Sequence, residues 1–228
     1  MNRIIKSWEA DTYQDAERMI RQLGILPLAR LFPEHPSLDQ ITPKKNWFTG
    51  SELDPWQWRT RFSLEGKAAY GKIIKKKALL ISPQLYAPLH CLIGGHLHPE
   101  ELFDQGRMSQ TAVDLYEWIV HEEGIDSRKL RKESRMSAKE SKKAFDQALL
   151  ELQAHGSIVI AGVRPQINRE GEAYGWNSSS YESADHWMKR HGIPPFRSHA
   201  EEARAAITAQ LQPVWTAKAL DTLLKWLP

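Results

Sequence analysis

Residues 134–156 read SRMSAKESKKAFDQALLELQAHG. Cations crowd the first half and leucines the second. Ser137 and Glu140 have the Ser-x-x-Glu spacing of a capping box, in which each side chain takes up a backbone N–H at a helix start. Gly156 supplies a stop, because glycine enters the left-handed cap conformation without strain. At about 100° per residue, Phe145, Ala148, Leu149 and Leu152 fall on one arc, with Lys139 and Lys143 nearly opposite. Leu150 lies off that arc, on the basic side, and is expected to pack on a neighbouring element. The pattern predicts one amphipathic helix between the Ser137 cap and Gly156.

Working outward, QTAVDLYEWIVHEEG (110–124) is a second amphipathic helix. Val113, Tyr116, Ile119 and Val120 lie on one side, Thr111 and Asp114 have capping-box spacing, and Gly124 ends it. DSRKLRKESR (126–135) between them is a short helix with Asp126 or Ser127 as N-cap. SIVIAGV (157–163) is a β-branched run and reads as a strand. RPQINREGEAYGW (164–176) has turn chemistry at 168–171 and a return strand, and NSSSY (177–181) reads as the end of that hairpin. Helix, short helix, longer helix, strand, turn, strand is the succession of a winged helix, a helix-turn-helix followed by a hairpin wing.

The first half is less regular. DTYQDAERMIRQL (11–23) is helical, with Tyr13, Ala16, Met19, Ile20 and Leu23 at three- and four-residue spacing. Gly24 and Pro27 stop it. Pro33, Pro36, Pro43 and Gly50 mark a loop with a short helix near residues 38–41. Asp54-Pro55 begins another helix. KKKALLIS (75–82) reads as a strand with a basic lead-in, and SPQLYAPL (82–89) as a capped helical turn closed by Pro88. Residues 90–107, rich in Gly and His, read as loop. The C-terminal stretch is helical to about Gln212 and again after Pro213, with Leu220, Leu223, Leu224 and Leu227 buried. The fold class expected is mainly helical α+β with tandem winged-helix units. Residues 1–105 form an N-terminal helical, winged-helix-like unit, 106–182 a winged-helix domain, and 183–228 a helical segment packed on the rest.

Of 228 residues, 41% are hydrophobic and nine are tryptophan, enough for a packed core. The net charge is only +3, but residues 128–143 hold eight cations against two acids. The remainder is therefore mildly acidic. Such asymmetry points to a polyanion partner, and its ordinary alternative is a solvated pair of helices. A single cysteine rules out an intrachain disulfide. The N-terminus has no apolar core of a signal peptide, and no stretch nears the ~18 apolar residues of a membrane span. A cytoplasmic location is the expectation.

In the usual docking mode the third helix of a winged helix enters the major groove. Ser137, Lys139, Lys142 and Lys143 would face that groove. Arg128, Arg131, Lys132 and Arg135 would sit over phosphates, with Arg164 and Arg169 on or beside the wing. Lysines are mobile point charges and suit phosphate contact better than base reading. The partner expected is duplex DNA, bound largely without regard to sequence. A protein-interaction module without DNA contact is the alternative. A second cluster, Asp54, Trp56, Trp58, Arg59, Tyr70 and Lys72, has the aromatic and charged mix of a base-stacking pocket. Core packing is the commoner use of tryptophans two residues apart. His90, Cys91, His96 and His98 lack the paired spacing of a zinc finger, so no metal is expected. No Walker loop, dinucleotide fingerprint or nucleophile elbow occurs, and no cofactor is expected.

Four stretches carry a resemblance: LGILPL (23–28), DPWQWR (54–59), AAYGKIIKKKALLIS (68–82) and EAYGW (172–176). Over residues 12–182 or so, the chain resembles the AlkZ-related proteins, a bacterial family allied to the AlkZ and YcaQ winged-helix DNA glycosylases. The resemblance implies tandem winged helices around a DNA-binding channel. It also implies a base-excision site in which a glutamine pair, Q-x-Q or Q-x-D, follows a leucine-glycine turn. Here Leu23-Gly24 is followed by Ile25, Leu26, Pro27 and Leu28. Apolar residues cannot orient water or stabilise developing positive charge. Gln210–Gln212 repeat the pattern only in a C-terminal helix. The resemblance therefore implies a DNA-binding protein without the standard catalytic pair. An active glycosylase with displaced groups is the alternative, Asp54 or Glu52 supplying a carboxylate.

Overall fold

A computed structural model describes residues 8–168 and 170–228; Arg169 falls outside the described residues. Local capping chemistry lays out the first third. The Thr12 hydroxyl accepts the Asp15 amide at 3.2 Å, and the Asp15 carboxylate accepts the Thr12 amide at 3.1 Å. That reciprocal cap starts α1 (Tyr13–Leu23), whose buried stripe is Tyr13, Ala16, Ile20 and Leu23. Gly24 ends it at φ 75°, and a side chain there would collide with Leu211 and Leu85. Then come β1 (Ile25–Pro27), α2 (Leu38–Ile41), a 3-10 turn at Lys44–Asn46, and α3 (Pro55–Leu64) with Asp54 as its cap.

β2 (Ala69–Ile74) and β3 (Lys77–Ile81) form an antiparallel hairpin, and β1 pairs with β3, giving the strand order β1-β3-β2. Periodicity finds one strand here and misses its partner, because Gly71 and Lys72 interrupt the apolar run of β2. Lys75 and Lys76 do not lead into the strand. They form its two-residue turn, with φ of 50° and 57°, the left-handed pair a type I′ hairpin requires. α4 (Pro83–Leu92) does not close at Pro88 but runs through it. Pro88 has no N–H for the Gln84 carbonyl, which accepts the Gln210 side chain instead at 3.4 Å. α5 (Pro99–Asp104) occupies part of the expected loop.

The second half runs α6 (Gln110–His121), β4 (Ile125–Asp126), α7 (Ser127–Glu133), α8 (Lys142–Ala154), β5 (Ile158–Ile167) and β6 (Ala173–Ser183). Its strand order is β4-β6-β5. Helix, strand, helix, helix, strand, strand thus occurs twice, each time with the first strand paired to the third. Residues 177–181 lie within β6 rather than at a hairpin end. Three further helices complete the chain: α9 (Ala184–Arg190), α10 (Ala200–Leu211) and α11 (Ala217–Trp226).

Two helix starts differ from the capping patterns. α6 is capped by Ser109, whose hydroxyl accepts the Ala112 amide; Asp114 instead takes the Gln110 side chain. α8 begins at Lys142, not after Ser137. The cause lies in how α7 ends. Arg135 adopts φ 58°, the Met136 amide donates to the Arg131 carbonyl at 2.8 Å, and the Arg135 amide donates to Lys132 at 3.1 Å. This is a Schellman closure with arginine where glycine is usual. It turns residues 137–141 aside, and the Ser137 hydroxyl donates to the Arg131 carbonyl at 3.3 Å. Ser141 precedes α8 without a side-chain cap.

Both sheets divide their side chains between two cores. In β3, Leu79 and Ile81 face one and Leu80 the other; in β5, Val159 and Ala161 oppose Ile158 and Ile160. The first core also takes α4 and α9 to α11, the second α1, α3, α6 and α8. Strands covered on both faces read as unbroken apolar runs, as ALLI and IVIA do here. The two repeats interlock, α3 packing on β5 and α8 on β2. Trp187 and Trp215 donate their indole N–H groups to the carbonyls of Ser63 and Leu23, each at 2.8 Å, and tie the last helices to the first repeat.

Candidate nucleic-acid interface

The basic segment divides by what each cation touches. Asp126 caps α7, accepting the amides of Arg128 and Lys129 and the Ser178 hydroxyl. Burial opposes its charge. The Ser178 hydroxyl, the two amides and the Arg128 charge outweigh that and hold its carboxyl below the usual range. The Arg128 guanidinium reaches Gln166 at 3.1 Å and the Arg164 carbonyl at 3.0 Å, and Arg164 donates to the Gly124 carbonyl at 3.2 Å. Arg128 ties the β5–β6 hairpin to α7, and Arg164 ties it to the turn before β4. Arg131 is half-buried, 4.6 Å over the Phe145 ring and 3.7 Å from the Asp146 carboxylate. Lys142 pairs with Asp146 and Lys129 with Glu122.

Lys132, Arg135, Lys139 and Lys143 are exposed and form no ion pair among the described residues. Lys132 stands on the last turn of α7, Arg135 and Lys139 on the α7–α8 connection, and Lys143 on the first turn of α8. No side chain caps that turn of α8, where the Lys142 amide donates to the Lys139 carbonyl at 3.2 Å, and the helix start adds the positive end of its dipole. Arg169, expected on the hairpin, lies outside the described residues.

The aromatic cluster separates too. Trp58 is buried and donates to the Glu52 carbonyl at 2.7 Å. Tyr70 is buried in the same core, its hydroxyl pushed up by burial against the opposing pull of Arg59. Trp56 and Arg59 stay half-exposed, the guanidinium 3.5 Å from the Trp56 ring centroid. Burial lowers the Arg59 pKa, countered by Tyr70 and Asp54. Asp54 is fully buried. One oxygen accepts the amides of Phe48 at 3.0 Å and Trp56 at 2.9 Å, and the other that of Gly50 at 2.9 Å. Three backbone amides take most of its acceptor capacity, and with no solvent exposure the carboxylate is not open to a substrate. Lys72 is exposed on β2, two residues from Tyr70.

A family model described as AlkZ related matches residues 10–228. The chain belongs to the AlkZ-related family. No match is found among curated proteins or among solved structures.

In this AlkZ-related chain, the stretch after Leu23-Gly24 is a packed strand. Ile25 and Leu26 are buried and pair with Ile81 and Leu80. A shallow cleft of about 270 Å³ opens beside Gly24, lined in part by Arg21, Gln22, Gln84 and Gln210. A larger one of about 340 Å³ lies between α3 and β5, with Gln57 and Arg61 on one side and Gly162 on the other. Sequence reasoning misses both, since each joins residues more than a hundred positions apart. The histidines do not converge. His90 is buried in α4, while His98 caps α5. Among the described residues no group of three potential metal ligands forms, and no helix is long and apolar enough to cross a membrane.

Proposed function

We propose that this AlkZ-related protein binds duplex DNA through two tandem winged-helix units, largely without regard to sequence. One observation carries the reading. The repeated helix-strand-helix-helix-strand-strand order, with its first strand paired to its third, presents in its second copy four cations without an ion pair among the described residues, from the last turn of α7 to the first turn of α8. In that frame α3 and α8 are the third helices, and β2–β3 and β5–β6 the wings. Lys132, Arg135, Lys139 and Lys143 meet phosphates, and Lys142 joins them by exchanging Asp146 for the DNA backbone. Arg128 and Arg164 hold the wing in place. The family's link by name to the AlkZ glycosylases supports a DNA-related role.

The glycosylase alternative gains nothing from Asp54, whose oxygens are occupied, or from Leu23–Leu28, which is apolar and packed. The reading is tested by binding to duplexes of unrelated sequence across a salt series. Affinities within a few-fold of one another and a steep fall with salt are expected. Neutralising Lys132, Arg135, Lys139 and Lys143 together should flatten the salt slope by about 0.9 for each phosphate that no longer meets a cation. Absence of binding at low salt would overturn it.

A further inference from the structure

The loop between α2 and α3 carries an exposed aromatic edge that the cation cluster does not explain. Phe48 is 65% exposed and sits at φ 62°, a conformation rare for an aromatic residue. Its turn is not slack. The Asp54 carboxylate holds the amides of Phe48, Gly50 and Trp56 at once, so both ends of the turn converge on one buried group. Trp47 braces the other side, its indole donating to Thr42 at 2.9 Å and its ring 5.9 Å from Phe48.

Behind Phe48 the ring of Trp56 lies 5.1 Å away, inclined at 50°, and Arg59 covers the Trp56 face at 3.5 Å. Arg59 forms no ion pair among the described residues; Asp54 is near, with both oxygens on backbone amides. Lys44 and Lys45 are exposed on the 3-10 turn just before Phe48, Lys45 without an ion pair among the described residues and Lys44 4.0 Å from the Asp39 carboxylate. The result is a braced exposed ring, a half-exposed ring behind it, and two exposed cations on the turn that leads into it.

We infer that Phe48 and Trp56 form a stacking shelf for an unpaired nucleobase, with Lys44 and Lys45 meeting the adjoining phosphates. The inference rests on the DNA reading above. Every base presents a π face, so a ring shelf accepts any of them, and a shelf already rigid loses little freedom on binding. Lysines supply the mobile charges a flexible single-stranded backbone needs. A protein partner would call for a broad apolar patch, whereas Phe48 shares its exposed stretch with Lys44, Lys45, Thr49 and Ser51, and Leu53 is the other exposed large apolar residue of that loop.

The test compares two duplexes of equal length at low salt, one fully paired and one with a single unpaired adenine. Wild type should prefer the second by roughly 5- to 150-fold, the range for one base on one aromatic side chain. Phe48→Ala should abolish the preference and leave the paired duplex unaffected, and Phe48→Trp should keep it. Equal affinities in wild type, or a preference that survives Phe48→Ala, would overturn the shelf and leave the DNA reading standing. No binding to either duplex would remove both.

Discussion

Gln153 of α8 accepts the backbone amide of Lys72 of β2 at 2.9 Å, across 81 residues of chain. Its own amide donates to the Leu149 carbonyl at 2.8 Å, and the side chain is 3% exposed. One carboxamide, satisfied at both ends, thus joins the third helix of one repeat to the sheet of the other. Gln153→Leu keeps the bulk and removes the acceptor. The stranded Lys72 amide should lower stability by about 1–3 kcal/mol, read as a lower urea midpoint with an unchanged slope.

Arg128 and Lys139 belong to one basic run yet should behave differently. Arg128→Ala removes bonds to Gln166 and to the Arg164 carbonyl, so it should loosen the β5–β6 hairpin and lower the melting temperature. Lys139→Ala removes an exposed, unpaired charge. It should leave melting unchanged and weaken DNA binding, with a salt slope shallower by about 0.9. Thermal melts and salt-series titrations of the two variants separate the roles.

Arg135 offers a substitution with opposite effects on fold and binding. At φ 58° a glycine is easier to hold than an arginine, and the Schellman amide bonds remain available. Arg135→Gly should keep stability the same or raise it by up to about 1 kcal/mol, while lowering DNA affinity through the lost cation. A variant that loses both would mean the arginine side chain stabilises the turn.

His35 sets a pH dependence. It is buried, its Nε2–H donates to the Ile25 carbonyl at 2.9 Å, and its ring packs against that of Trp215, tilted by 38° with centroids 4.1 Å apart. Burial outweighs that bond and lowers its pKa to about 4. The folded protein keeps the ring neutral where the unfolded chain, with a pKa near ~6.5, takes up a proton. Its contribution is therefore present above pH ~6.5 and lost as pH falls towards 4, amounting to roughly 3 kcal/mol at most. Urea midpoints at pH 7 and pH 5 should differ less in His35→Gln than in wild type.

The parts of this fold legible in sequence are those fixed within a few residues. Asp54 with Pro55 and Asp126 with its following amides each announce a helix start through contacts made inside one turn. The start of α8 is hidden because a left-handed arginine, not a glycine, closes the preceding helix. β2 is hidden because its identity lies in pairing with β3 and burial against α8. The basic run can be counted but not sorted, since ion pairs and carbonyl contacts up to 40 residues away decide which cations remain available. Phe48 carries no sequence signal at all. An exposed ring is told from a buried one only by the carboxylate that holds its loop.

The bond from the Trp215 indole to the Leu23 carbonyl spans 192 residues. During synthesis, α1 and the first sheet therefore leave the ribosome long before the helices that cover them exist. Leu79 and Ile81 wait for α9 to α11, and Lys72 waits for Gln153. The N-terminal half must keep an apolar sheet face out of non-native contacts until residues 184–226 have been made. Removing α11 should accordingly show up first as aggregation during expression, before any change in DNA binding could be measured.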